Sequence, residues 1–161
     1  MSIAALPDGS AQLLLSYGTD GARYHCARGW DGAWTAWGRL AGYDGAPTFS
    51  GPALAITGSP DGAAHAVAVG LDGRIWYDVR RPDGSWTPFS RIPGPNGRDP
   101  FPAGQVRITA LRDGSTHVTA ISAGWTGRPA AWSAACWWAH QHAAGAANTR
   151  SHNSTDASSL A

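Results

Sequence analysis

Between residues 53 and 92 the chain runs through four short apolar stretches separated by turn residues: ALAIT (53–57), HAVAV (65–69), RIWYDVR (74–80) and SWTPFSRI (85–92). Each is rich in β-branched or aromatic residues and too short for a helix, so each predicts a strand. Asp-Gly pairs at 61–62, 72–73 and 83–84 separate the four. Asp-Gly between apolar runs is a strong hairpin signal, because both residues tolerate the positive φ of a type I′ turn. The prediction is a four-stranded antiparallel meander.

The same pattern is written more than once. PDGSAQLLLSYGTDGARYHCARGWDGAWTAWGRLAG (7–42) aligns with PDGAAHAVAVGLDGRIWYDVRRPDGSWTPFSRIPG (60–94) with a single one-residue gap. Asp8 then matches Asp61, Asp20 matches Asp72, Tyr24 matches Trp76, Arg28 matches Arg80, Trp34 matches Trp86 and Trp37 matches Phe89. The linkers 42–62 and 94–114 align without a gap, pairing Phe49 with Phe101 and Ile56 with Ile108. Units therefore start near 1, 53 and 105. Four strands about every 52 residues, with a recurring aromatic, is the signature of a β-propeller blade. The fold class predicted is all-β, a β-propeller of about three four-stranded antiparallel blades. Propellers close with typically four to eight blades, so three leave the ring incomplete. The chain is expected to be a fragment of a longer propeller, a protomer that completes the ring as a homo-oligomer, or an incomplete gene product.

The third unit follows the repeat through DGSTHVTAIS (113–122) and then loses it. Where the next Asp-Gly is due, the chain reads Ala123, Gly124, Trp125, Thr126, and no Asp-Gly occurs from there to the end. The expected organisation is blade repeats over 1–122 and an irregular, partly disordered Ala/Ser-rich tail over 123–161. A shifted reading frame would produce such a change, and the DNA sequence decides that point.

Composition supports the all-β reading. The 12 basic residues are all arginine and the 11 acidic ones all aspartate, so two good helix formers, lysine and glutamate, are absent. A net charge of +1 with dispersed arginines leaves no footprint for nucleic acid or an anionic membrane. No signal peptide and no apolar stretch of the ~20 residues that span a bilayer is present, and the compartment stays open. Cys26 and Cys136 are read as free thiols.

Candidate chemistry is sparse. Eight of the 11 aspartates directly precede glycine and are explained by turns; besides Asp156 in the tail, only Asp78 and Asp99 remain. Paired-carboxylate catalysis is therefore not expected. No G-x-S-x-G elbow occurs, and His65 and His117 occupy one equivalent position, as repeat inheritance would place them. Cys136, His140 and His142 lie in the tail and give no convincing metal site. Asn153-Ser154-Thr155 matches a glycosylation sequon by chance as readily as by purpose. No catalytic residue, cofactor or metal is expected.

What remains is the repeated set of aromatics and arginines: Tyr24 with Trp76, Trp34 with Trp86, Arg28 with Arg80. A sugar's C–H face stacks on an aromatic ring while its hydroxyls bond planar donors. Packing between blades and contact with a ligand both fit Trp34 and Trp86.

The run PDG to DGARY (7–24) and PDG to DGRIW (60–76), the arginine that follows, and DGAWTAW (31–37) against DGSWTPF (83–89) resemble the bacterial PLL-like β-propeller lectins. These are relatives of the tectonin-type and fucose-specific propeller lectins, and the resemblance covers residues 3 to about 122. It implies non-catalytic glycan binding between blades, with fucosylated or methylated sugars as ligands and Tyr24, Arg28, Trp34, Trp76, Arg80 and Trp86 as contacts. The alternatives are the propeller portion of a larger secreted hydrolase, or a protein-interaction scaffold.

Overall fold

The computed structural model describes residues 1–17, 22–42, 51, 53–93, 103–122, 134–140 and 148–152. These residues form strands and turns only. Strands β1 (Ser2–Ala5), β2 (Ala11–Tyr17), β3 (Ala22–Arg28) and β4 (Gly38–Arg39) make the first sheet. The second contains β5 (Ala53–Gly58), β6 (Ala64–Val69), β7 (Ile75–Arg80) and β8 (Ser90–Ile92). The third contains β9 (Ala103–Ala110), β10 (Thr116–Ser122), β11 (Ala134–His140) and β12 (Asn148–His152). Every sheet is an antiparallel meander in sequence order. The first strands touch in succession, β1 with β5 and β5 with β9. The sheets thus stand side by side around a shared inner edge, as propeller blades do, and three of them make an incomplete ring.

Six Asp-Gly turns are described, and in all of them the glycine has positive φ, from 74° at Gly73 to 89° at Gly84. Their geometry differs from the two-residue type I′ turn. In the turn at 59–63, Gly62 N–H bonds the Ser59 carbonyl at 3.1 Å and Ser59 N–H bonds the Ala63 carbonyl at 2.9 Å. The loop is therefore three residues long, with a left-handed glycine as its bulge. Asp61 Oδ1 accepts the Ala63 N–H at 3.0 Å, and Asp8, Asp31, Asp72, Asp83 and Asp113 each accept the N–H two residues on. The aspartates close the turns through their side chains.

The outermost strand is shorter than SWTPFSRI suggests. Trp86 makes only an isolated bridge to Arg80, and β8 begins at Ser90. Pro88 has no N–H to give the ladder. The Thr87 side chain helps fill the gap: its Oγ1 accepts the Val79 N–H at 3.0 Å, as Thr35 Oγ1 accepts the Ala27 N–H at 2.9 Å in the first sheet.

Alternation along the strands sorts side chains between two junctions. Ala64, Ala66 and Ile56 of the second sheet pack on Ala4, Leu6, Leu14 and Leu40 of the first, with Leu54, Trp86 and Phe89 at the margin. Val67, Val69, Ile75, Tyr77 and Val79 face the other way, against Val106, Ile108, Val118 and Ala120 of the third. The middle blade is covered on both faces, which is why β6 is buried at every position. Side-chain hydroxyls also cross the junctions, from Ser2 to Ile56 N–H at 3.1 Å and from Thr57 to Ala110 N–H at 3.3 Å.

Beyond residue 122 the described residues are 134–140 and 148–152, and they form two strands. β11 pairs with β10 from Thr116↔Ala139 to Ile121↔Ala134, and β12 pairs with β11 from Cys136↔His152 to His140↔Asn148. The open edge of β10 needs backbone partners whether or not an Asp-Gly announces the hairpin, and Ala134–His140 contains no glycine or proline to refuse the ladder. The Asp20-Gly21 and Asp44-Gly45 turns, Phe49, Asp99, Phe101, the sequon and the side chains of Cys136, His140 and His142 lie outside the described residues.

Candidate functional site

The junction between the first and second sheets opens into a groove of about 450 Å³. One wall is His25 of β3 with the backbone around β4; the other is Asp78 of β7 with Trp86 and Phe89 from the outer edge of the second sheet. Alternation puts Asp78 on the same face of β7 as Trp76 and Arg80, toward the first sheet, and puts His25 on the opposing face of β3.

Trp86 and His25 meet across the seam in an edge-on contact, ring centroids 5.1 Å apart and planes at 83°. The imidazole is bonded on its other side, Nε2 to Gln12 Oε1 at 2.8 Å. The carboxamide oxygen can only accept, so Nε2 carries the proton and Nδ1 is an unprotonated acceptor. Burial, reinforced by the charge of Arg80, pushes the His25 pKa down to about 4, so the ring is neutral at pH 7.

Asp78 is 2% exposed. One of its oxygens, Oδ1, accepts the Val79 N–H at 2.7 Å and the Thr87 hydroxyl at 2.7 Å. Burial nevertheless raises its pKa to about 6, against the opposing effect of those two bonds. The groove thus combines an indole and a phenyl ring with a neutral imidazole and a carboxylate, a surface made of apolar faces and hydrogen-bond acceptors. It suits a ligand with an apolar face and hydroxyl donors.

The six residues expected as contacts separate into four places. Trp86 walls the groove. Arg80 lines a second cleft of about 300 Å³ at the turn end of the same junction, with Gln12, Asp8 and Asp61. Its guanidinium lies over its own turn, where a side chain at Gly84 would meet Nη2 at 3.4 Å. Tyr24, Arg28 and Trp34 lie on the other face of the first sheet, away from the second. There Tyr24 OH accepts a bond from Arg39 Nε at 3.0 Å, and Arg28 covers the Gly32 turn. Trp34 is 56% exposed. Trp76 is 5% exposed, packed with Ala68, Leu54 and Phe89, and its indole N–H points to Asp72 at 3.4 Å.

Sequence reasoning passed over His25, Asp78 and Phe89. Asp78 carried a signal, being the one described aspartate not followed by glycine. His25 carried none, since its repeat equivalent is Tyr77 and only the packed blades bring it to Trp86.

A Ser-His arrangement does occur, and its bonding fixes its role. Ser59 Oγ bonds Asp61 and lies 3.0 Å from His65 Nε2, while His65 Nδ1 bonds the Tyr77 hydroxyl. A carboxylate only accepts, so the serine proton goes to Asp61; His65 then donates from Nε2 and accepts at Nδ1. The histidine is no base toward this serine. Ser59 and His65 are both buried, and the network ties the β5–β6 turn to β7. Cys26 is a buried free thiol. Among the described residues no group of three or more His, Cys or Asp is placed to hold a metal ion, and no helix is long and apolar enough to cross a membrane.

No protein-family model and no curated protein sequence matches the chain. Among solved structures it is similar to a fucose lectin from Kordia zhangzhouensis in complex with methyl-fucoside, at 13% identity and TM-score 0.49, covering 94% of this chain and 99% of that one. At that level the likeness carries no argument about a ligand, and the site stands on the chain's own residues.

Proposed function

We propose that the chain is a non-catalytic carbohydrate-binding module whose ligand lies in the groove between the first two blades. The observation that carries this reading is the pairing of Trp86 and Phe89 with Asp78 in a single groove. An apolar sugar face stacks on the indole while sugar hydroxyls donate to the Asp78 carboxylate and to His25 Nδ1. Two acceptors in one groove favour a neutral saccharide that offers several hydroxyls. Fucosylated and methylated glycans, which the sequence resemblance implies, meet that requirement, since a methyl group extends the apolar face. The test is a glycan array with the wild-type chain, Trp86→Ala and Asp78→Asn: binding lost in both supports the reading.

The exposed face of the first sheet supports association with further blades. Met1, Ile3, Trp34 and Trp37 are exposed at positions equivalent to Leu54, Ile56, Trp86 and Phe89, which the first sheet covers. A second copy that docks there extends the ring toward closure. The corresponding face of the third sheet shows Gln105, Arg107 and Thr109 to solvent. Along β9 that face is polar, and assembly through it depends on concentration.

A further inference from the structure

Arg23 is the one fully buried cation among the described residues, 2% exposed, on the face of β3 that looks at the second sheet. Its Nε has no hydrogen-bond partner, and its single bond, from Nη2 to the Ala53 carbonyl, is 3.5 Å long. Among the described residues it forms no ion pair. A guanidinium taken out of water without an acceptor fork is costly, and a buried charge is kept when something pairs with it. The fold does not require it. The repeat equivalent of Arg23 is Ile75, buried in the same register of the second sheet, so an aliphatic side chain satisfies this position. The site borders the groove: Leu40, a groove residue, donates its N–H to the Arg23 carbonyl at 2.9 Å, and His25 follows two residues later on the same face.

We propose that Arg23 holds an oxyanion, a carboxylate or a sulfate-like group, in the seam between the first two blades. The planar fork matches such a group bidentately and supplies the acceptors its buried N–H donors lack. Burial, which lowers the arginine pKa, is relieved by the same partner. The anion is either a free inorganic ion or an acidic substituent on a saccharide, and the two sources are separable.

The experiment is thermal unfolding of the full chain with sulfate titrated against chloride at matched ionic strength, for wild type, Arg23→Ile and Arg23→Lys. A parallel arm uses the methyl glycoside of a uronic acid against its neutral counterpart. A bound anion gives a saturable rise in melting temperature. Wild type should saturate with sulfate, with the uronate, or with both. Arg23→Ile should lose the saturable rise while keeping the fold, as Ile75 does, and should be the more stable protein without the anion. Arg23→Lys keeps the charge without the fork and should need about tenfold more anion; it serves as the readout if Arg23→Ile does not fold. Saturation with sulfate alone identifies a free oxyanion, and saturation with the uronate alone an acidic saccharide. No saturable response in wild type, or the same response in the variants, overturns the proposal.

Discussion

The edge of the Trp86 indole meets the His25 imidazole at 5.1 Å, two side chains from neighbouring blades 61 positions apart in sequence. The contact accounts for the difference between Trp86 and its twin Trp34. Both occupy the same place in a blade and bridge the same arginine position, Arg80 and Arg28. One has a neighbouring blade in front of it and the other has solvent.

Trp86→Ala should therefore cost about 2–3 kcal/mol, somewhat below a fully buried Trp→Ala because the residue is half-buried. Trp34→Ala should stay within about 0.5 kcal/mol in the monomer. Urea unfolding of the two variants measures the difference; equal costs would mean that the seam does not hold Trp86.

The two titratable groups of the groove oppose each other. Asp78 has its pKa raised from 3.8 to about 6, so the native state holds its proton more tightly and stability falls as pH rises from about 4 to 6. His25 has its pKa lowered from 6.5 to about 4, so the unfolded state takes the proton first and stability rises over the same window. Each effect is on the order of 2–3 kcal/mol. Asp78→Asn should make stability climb more steeply with pH between 4 and 6 than in wild type, and His25→Gln should flatten or reverse the climb. His65, whose pKa burial also lowers, adds to the rising arm in both variants. Denaturation midpoints at pH 4, 5 and 6 decide; unchanged slopes would refute the assignment.

Gly114 has φ +81° and open space around its α-carbon. Gly114→Ala therefore tests the backbone alone, and should cost roughly 1–2 kcal/mol from left-handed strain without any steric clash. A neutral result by calorimetry would show that the turn can change type.

Association through the open face of the first sheet should appear as a mass that grows with concentration in sedimentation and is held at the monomer by Trp34→Asp. The same mass at every concentration would set that face aside.

The repeat made most of the architecture legible. Asp-Gly turns, four apolar runs and a 52-residue period are local signals, and the three sheets follow them. The exceptions are local as well: Pro88 and the Thr87 side chain shorten the outer strand, and β11 forms on the open edge of β10 without a turn motif. The groove was legible only on one side. Trp86 recurs in the sequence and was visible, but whether its ring meets protein or solvent depends on which blade stands before it. His25 and Asp78 come together only through the packing of two blades, and the faces on which Trp76 and Tyr24 lie are set by strand register rather than residue type. Arg23 was invisible because an arginine at the position of Ile75 looks like a surface residue until the sheet buries it.

The most direct measurement is calorimetric titration of the folded chain with the strongest neutral glycan from the array, repeated on Trp86→Ala, Asp78→Asn and Trp76→Phe. The account predicts binding in wild type, a loss of about tenfold or more in the first two variants, and little change in Trp76→Phe, whose ring stays packed behind the groove. Binding that survives Trp86→Ala and Asp78→Asn, or a folded chain that binds no glycan, would contradict it.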